Sequence, residues 1–83
     1  MFLEIIKKSA RERRILKIYY RDKDSNEIGW RYIEPYSFTY DDGEEGLFAW
    51  DISKDGIRRF SLDRIDRLEI TEQFYSPRYE IKI

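Results

Sequence analysis

The sequence contains neither cysteine nor histidine. Without cysteine there is no disulfide, no thiolate metal site and no thiol nucleophile. Without histidine no imidazole can act as a general base, which removes the histidine-dependent catalytic triads. Proline occurs only twice and glycine four times, and no segment reads as a linker or as low-complexity sequence. No apolar run approaches the ~20 residues needed to span a bilayer, and the opening MFLEIIKKSA is too short and too charged for a signal peptide. Net charge is nearly absent too, with 16 Lys+Arg against 17 Asp+Glu. A sequence-indifferent coat for DNA or RNA carries a clear basic excess, so that class is disfavoured, whereas a local basic pocket is not. Carboxylates are plentiful, but no pair stands out and there is no glycine-rich phosphate loop. The expectation is a cytoplasmic, non-catalytic chain with no membrane association, metal or cofactor.

What is present fits one small domain over residues 1–83. A chain of this length buries only roughly 60–65% of the surface that its unfolded form exposes. Aromatic residues, at 17%, supply large buried areas to its single core. In FLEIIKKSARERR, apolar residues at Leu3, Ile6 and Ala10, flanked by Phe2 and Ile5, have the spacing of a short amphipathic helix over about 2–13. Lys7, Lys8, Arg11, Arg13 and Arg14 lie mostly off that stripe and read as a solvated face suited to a helix C-terminus rather than as a phosphate-binding surface.

Strand signals follow at intervals of roughly ten residues and end near residue 72. ILKIYYR places Leu16, Ile18 and Tyr20 on one face. DKDSNEIG is a hairpin loop; it starts like a calcium loop, but Glu27 stands where that loop needs glycine and Ile33 where it needs a bidentate glutamate. In WRYIEPYSFTY, Trp30, Tyr32, Glu34 and Tyr36 share one parity and Arg31, Ile33 and Pro35 the other. Pro35 requires a bend or an edge position. The acidic DDGEEG carries a DG turn signal, LFAWDIS is a third strand, IRRFSLDRI a fourth and DRLEITE a fifth. The tail, residues 73–83, breaks at Pro77 and puts Tyr79, Ile81 and Ile83 on one face of a last strand. The rhythm predicts a mainly β domain with one N-terminal helix, its small antiparallel sheet bending into a five-stranded barrel.

Tyr20, Arg31, Arg58 and Arg64 each stand at the end of an apolar strand face. In a small barrel such ends are rims, where long side chains bury their stems and present their heads to a shared mouth. Guanidinium forks suit phosphate oxygens, and a neighbouring phenol or indole offers a stacking surface for a base. The competing reading is that Asp63 and Asp66 pair with Arg58, Arg59, Arg64 and Arg67 and leave no free cation. Trp30 and Trp50 are expected to pack rather than to form a base platform.

The segments ILKIYY, RYIEPY, LFAWD and RRFSLDRI, in this order and spacing, resemble the WYL domain of bacterial transcriptional regulators. The most specific pieces are Arg31-x-Ile33-x-Pro35 and Arg58-x-Phe60-x-Leu62-Asp63-Arg64-Ile65. The resemblance implies an Sm-like, SH3-type barrel. It also implies a sensor role in transcriptional or defence-system regulation, with a nucleotide or short single-stranded nucleic acid as ligand. Tyr20, Arg31, Arg58 and Arg64 match family positions, and Tyr36 is a further ligand-binding candidate. The chain departs from the family at its name triplet, where it has Glu45, Gly46 and Leu47. It is also expected to be too short for the helix-turn-helix of a sequence-reading repressor. The alternative is a protein-interaction or oligomerisation module, with the tail strand YEIKI adding to another chain's sheet.

Overall fold

The computed structural model describes residues 2–83. Helix α1, Phe2–Glu12, buries Ile6, Ser9 and Ala10, while Phe2 and Leu3 at its start stay partly exposed. It stops where Arg13 enters the left-handed region at φ 56°, and the Ser9 hydroxyl donates to the Arg14 carbonyl at 2.6 Å, tying the helix to the first strand. Five strands follow: β1 Arg14–Arg21, β2 Ile28–Asp41, β3 Glu44–Asp51, β4 Gly56–Ser61 and β5 Ile65–Phe74. They form one antiparallel sheet in the order β4-β3-β2-β1-β5. The β2–β3 turn has Asp42 at φ 50° and Gly43 at φ 77°, the paired left-handed residues that match a hairpin's twist.

The expected mainly β fold with one N-terminal helix is present, but hydrogen bonding does not close it into a barrel. β4 and β5 are the two edges, and among the described residues no ladder joins them. They are linked by a single 3-10 turn, Leu62–Arg64. Three residues at about 2 Å rise each cannot cross an open flat sheet, so the sheet curls enough to bring its edges close at that end. This turn also corrects the reading of IRRFSLDRI as one strand. The alternation ends at Ser61, so Arg58 and Arg64 do not share a strand face.

Inward residues of β1 to β5 make the main core: Leu16, Ile18, Ile33, Leu47, Ala49, Phe60 and Ile65, capped by Ile6 of the helix. Pro35 sits in the central strand β2, just past the end of the β1 ladder at Leu16↔Ile33, and a register shift against β3 falls between Pro35 and Ser37. At this bend both faces of β2 are covered, because, as well as Ile33 and Pro35, Glu34 and Tyr36 are buried. Their cover is a second small cluster of Ile15, Tyr36 and Tyr75, with Trp50 and Ile81 packed against it. The tail forms no full strand. Its main chain makes one parallel bridge to the sheet, Ser37↔Lys82, and its side chains pack on β2 and β3, so it lies against its own domain instead of standing free.

Candidate functional site

Arg31 follows Trp30 on β2 and points to the core side with Ile33, so its guanidinium is almost fully enclosed, with 8% side-chain exposure. A charge in that position requires partners. Nη1 donates to Asp51 Oδ2 at 3.1 Å and Nη2 to Asp22 Oδ2 at 3.0 Å, with Glu27 Oε1 at 3.9 Å. Asp51, wholly buried at the end of β3, uses its other oxygen to accept from the Ser53 N–H, the Ser53 hydroxyl and the Lys54 N–H at 3.1, 3.0 and 3.3 Å. One carboxylate therefore holds both the β3–β4 turn and the arginine. Asp22 likewise organises the β1–β2 loop, accepting from the N–H of Asp24 at 2.9 Å. That backbone hydrogen bond, with help from Arg31, holds its carboxyl below the ordinary value of 3.8.

Tyr20 and Arg58 converge on the same place. The Arg31 guanidinium lies 5.6 Å from the Tyr20 ring centre, and the Tyr20 ring meets Phe60 edge-on at 5.0 Å. The phenol accepts a hydrogen bond from the Ser61 N–H at 2.9 Å, tying β1 to the end of β4. Arg58 lies 3.7 Å from Asp22 and keeps 41% of its side chain exposed. Above Tyr20 these groups leave a hollow of about 260 Å³ whose wall also includes Lys23, Glu44 and Arg59. Arg59 is stowed: its Nε donates to Thr39 Oγ1 at 2.8 Å and its Nη2 to the Glu44 carbonyl at 2.9 Å. Its guanidinium lies over Gly46, where a Cβ would come within 2.5 Å of Arg59 Cζ.

The five expected site residues thus divide into three groups. Tyr20, Arg31 and Arg58 meet around Asp22. Arg64 lies next door, donating to the Arg21 carbonyl at 3.3 Å in a second hollow that shares Glu44 and Ser61 with the first. Tyr36 is elsewhere, in the cluster beneath the tail, where its hydroxyl donates to Glu34 at 3.0 Å. Burial pushes its phenol up to about 12.

Internal pairing occurs, but not with the expected acids. Asp66 and the Asp63 carbonyl take Arg21, whereas Arg31 and Arg58 pair with Asp22 and Asp51. Sequence reasoning missed both counter-ions, although the shared parity of Arg31 and Ile33 contained the signal. An arginine on the apolar side requires a buried acid, and acids at strand ends were the available ones. It also missed the position of Arg59, which stands opposite Phe48 in the register and reaches diagonally over Gly46 through its bonds to Thr39 and Glu44. Trp50 packs as expected against the tail, whereas Trp30 stays at the surface beside Tyr19, Lys17 and Arg67.

The fold and site define a small, curled β module with a charged hollow at its strand ends. The chain belongs to the WYL domain family, whose model matches residues 1–70. Among solved structures it is similar to the proteasome accessory factor B/C (PafBC) of Arthrobacter aurescens, with 29% sequence identity and a TM-score of 0.79. That match covers 90% of this chain and 12% of the other, so the chain spans a small part of that protein. No curated protein matches it.

Proposed function

We propose that the chain is a non-catalytic regulatory module of the cytoplasm that senses an anionic ligand, a nucleotide or short single-stranded nucleic acid, at the hollow above Tyr20. Family membership supports the sensor role. The observation that carries the ligand class is Arg58, which is half exposed and weakly held by Asp22 at 3.7 Å beside Lys23 and the Tyr20 ring. A phosphate arriving at Arg58 has one paired acid to displace, Asp22, although Asp24 and Glu44 also line the hollow opposite Lys23 and Arg59. A hollow of about 260 Å³ is smaller than the usual small-molecule pocket, so it suits a phosphate and its sugar, with the base stacked outside. Arg31 acts as a brace beneath the site, since its fork is already filled. In this reading the module contributes to transcriptional or defence regulation alongside a DNA-binding partner or domain.

Titration with a panel of mononucleotides and short oligonucleotides tests this. Saturable binding is expected to weaken as salt rises, with a slope lowered by ~1 for each phosphate contact removed. Arg58→Ala is expected to weaken binding at least tenfold while leaving the fold intact. Absence of binding by any phosphorylated probe at low salt would remove the proposal.

A further inference from the structure

Glu34 is a buried carboxylate in the central strand, and the cation that pairs with it comes from the tail. Arg78 Nε donates to Glu34 Oε1 at 3.0 Å, with Nη2 at 3.5 Å from Oε2. The same guanidinium lies over the Trp50 ring at 4.3 Å from its centre. An arginine held between a carboxylate and an indole is recognised by both shape and charge. The main chain is held on either side of it. The Arg78 N–H donates to the Tyr36 hydroxyl and the Lys82 N–H to the Tyr36 carbonyl, both at 2.8 Å. Tyr79 meets the Tyr36 ring edge-on at 5.3 Å.

A docked extended peptide makes contacts of this kind: here one main-chain bond to the sheet, one from the main chain to a side-chain hydroxyl, and a side-chain pocket. Three further facts set the segment apart from the fold proper. The groove lies on β2 and β3, within the residues that match the family, whereas its occupant lies beyond residue 70. Residues 76–80 are all exposed, and short segments with few buried apolar contacts open first. The tail also leaves part of the groove unfilled: a hollow of about 340 Å³ walled by Tyr36, Phe48 and Ile57 remains beside Tyr79.

We propose that this groove is a peptide-binding site that reads an arginine followed by an aromatic residue in an extended segment. The ligand is such a segment of a partner protein, and residues 76–83 are its cis competitor. The groove's acid supplies the charge complementarity, and the open Phe48–Ile57 wall accommodates a longer segment than the tail.

A tethered competitor has an effective concentration near ~1 mM, so the test first weakens it. The full chain carrying Arg78→Ala and Tyr79→Ala is titrated with a fluorescent peptide of residues 75–83, followed by anisotropy. Saturable binding is expected, reduced at least tenfold when the peptide carries Arg78→Ala or the chain also carries Glu34→Gln. No binding to a variant that keeps the parent circular dichroism, or equal binding of both peptides, overturns the proposal. On the unaltered chain, the Arg78 and Lys82 amides are expected to exchange hydrogen well before those of the β1–β2 ladder. Exchange only together with that ladder would make the tail a fixed part of the fold and overturn it as well. Light scattering that shows a dimer dependent on Arg78 would make a second copy the occupant and overturn the partner assignment.

Discussion

Replacing Asp51 by alanine removes the anion from beneath Arg31. The guanidinium has 8% side-chain exposure and Asp51 none, so the change leaves a positive charge in a nearly dry site. Removing one partner of a buried pair costs ~3–5 kcal/mol. Arg31 keeps Asp22 at 3.0 Å, which favours the lower end of that range. The hydrogen bonds that Asp51 accepts from Ser53 and Lys54 are removed too, at ~0.5–1.5 kcal/mol each where water does not replace them. We expect a loss of about 3–4 kcal/mol, most of it from the pair, because the Ser53 and Lys54 donors lie in an exposed turn where water takes the place of the lost acceptor. A chain of 83 residues has ~4–12 kcal/mol of stability in total. With a urea slope of ~1 kcal/mol per molar, the denaturation midpoint should fall by roughly 3 M or the chain should fail to fold. A double variant, Arg31→Met with Asp51→Asn, removes both charges and keeps an amide for the turn. It should be more stable than Asp51→Ala alone, because the penalty lies in the unpaired charge. Urea titrations of the parent, Asp51→Ala and the double variant measure this. A loss below ~1 kcal/mol for Asp51→Ala, or a double variant no better than the single one, would refute the reasoning and return Arg31 to the set of free cations.

Gly46→Ala should force the Arg59 guanidinium off strand β3, since its Cζ lies 2.5 Å from the new Cβ. The outcome expected is a small stability change, about 1 kcal/mol or less, and a crystal structure or NMR spectra should show the Arg59–Thr39 hydrogen bond broken. Asp22 titrates below its ordinary value of 3.8 in the folded chain. Its contribution is therefore complete above that pH and fades as pH falls through the lower folded value. The stability gap between the parent and Asp22→Asn should be constant near neutrality and shrink in acid; a gap unchanged down to about pH 2 would contradict this. Tyr36 behaves oppositely. Its burial raises the phenol to about 12 from 10, so its contribution is complete below pH 10 and lost as pH rises toward about 12. Urea midpoints should fall across that window, and less steeply in Tyr36→Phe.

Much of the architecture was legible because it is written in local periodicity. The spacing of Ile6 and Ala10 marks a helix face, and the alternation of Leu16, Ile18 and Tyr20 marks an inward strand face. Asp42-Gly43 takes the left-handed conformations its turn requires. Family-specific segments added that Tyr20, Arg31 and Arg58 belong together, and the structure does bring them around one loop. The grouping failed for Arg64 and Tyr36. Extrapolating the strand through Leu62 misplaced Arg64, because a 3-10 turn there abolishes the parity. Tyr36 shares its parity with Trp30 and Tyr32, which remain exposed.

The sequence by itself determined the order of the helix and five strands, the three turns between β1 and β4, and most inward faces, since each depends on residues within a few positions of one another. Only the tertiary structure decided which charges are free. Arg31 meets Asp51 twenty positions away and Glu34 meets Arg78 forty-four away; such pairs depend on curvature and register, which no local pattern encodes. It likewise decided that Glu34 and Tyr36 are buried, because a second layer of cover comes from a segment on the far side of the chain. Periodicity assigns a side chain to a face, but whether that face sees water depends on what packs upon it.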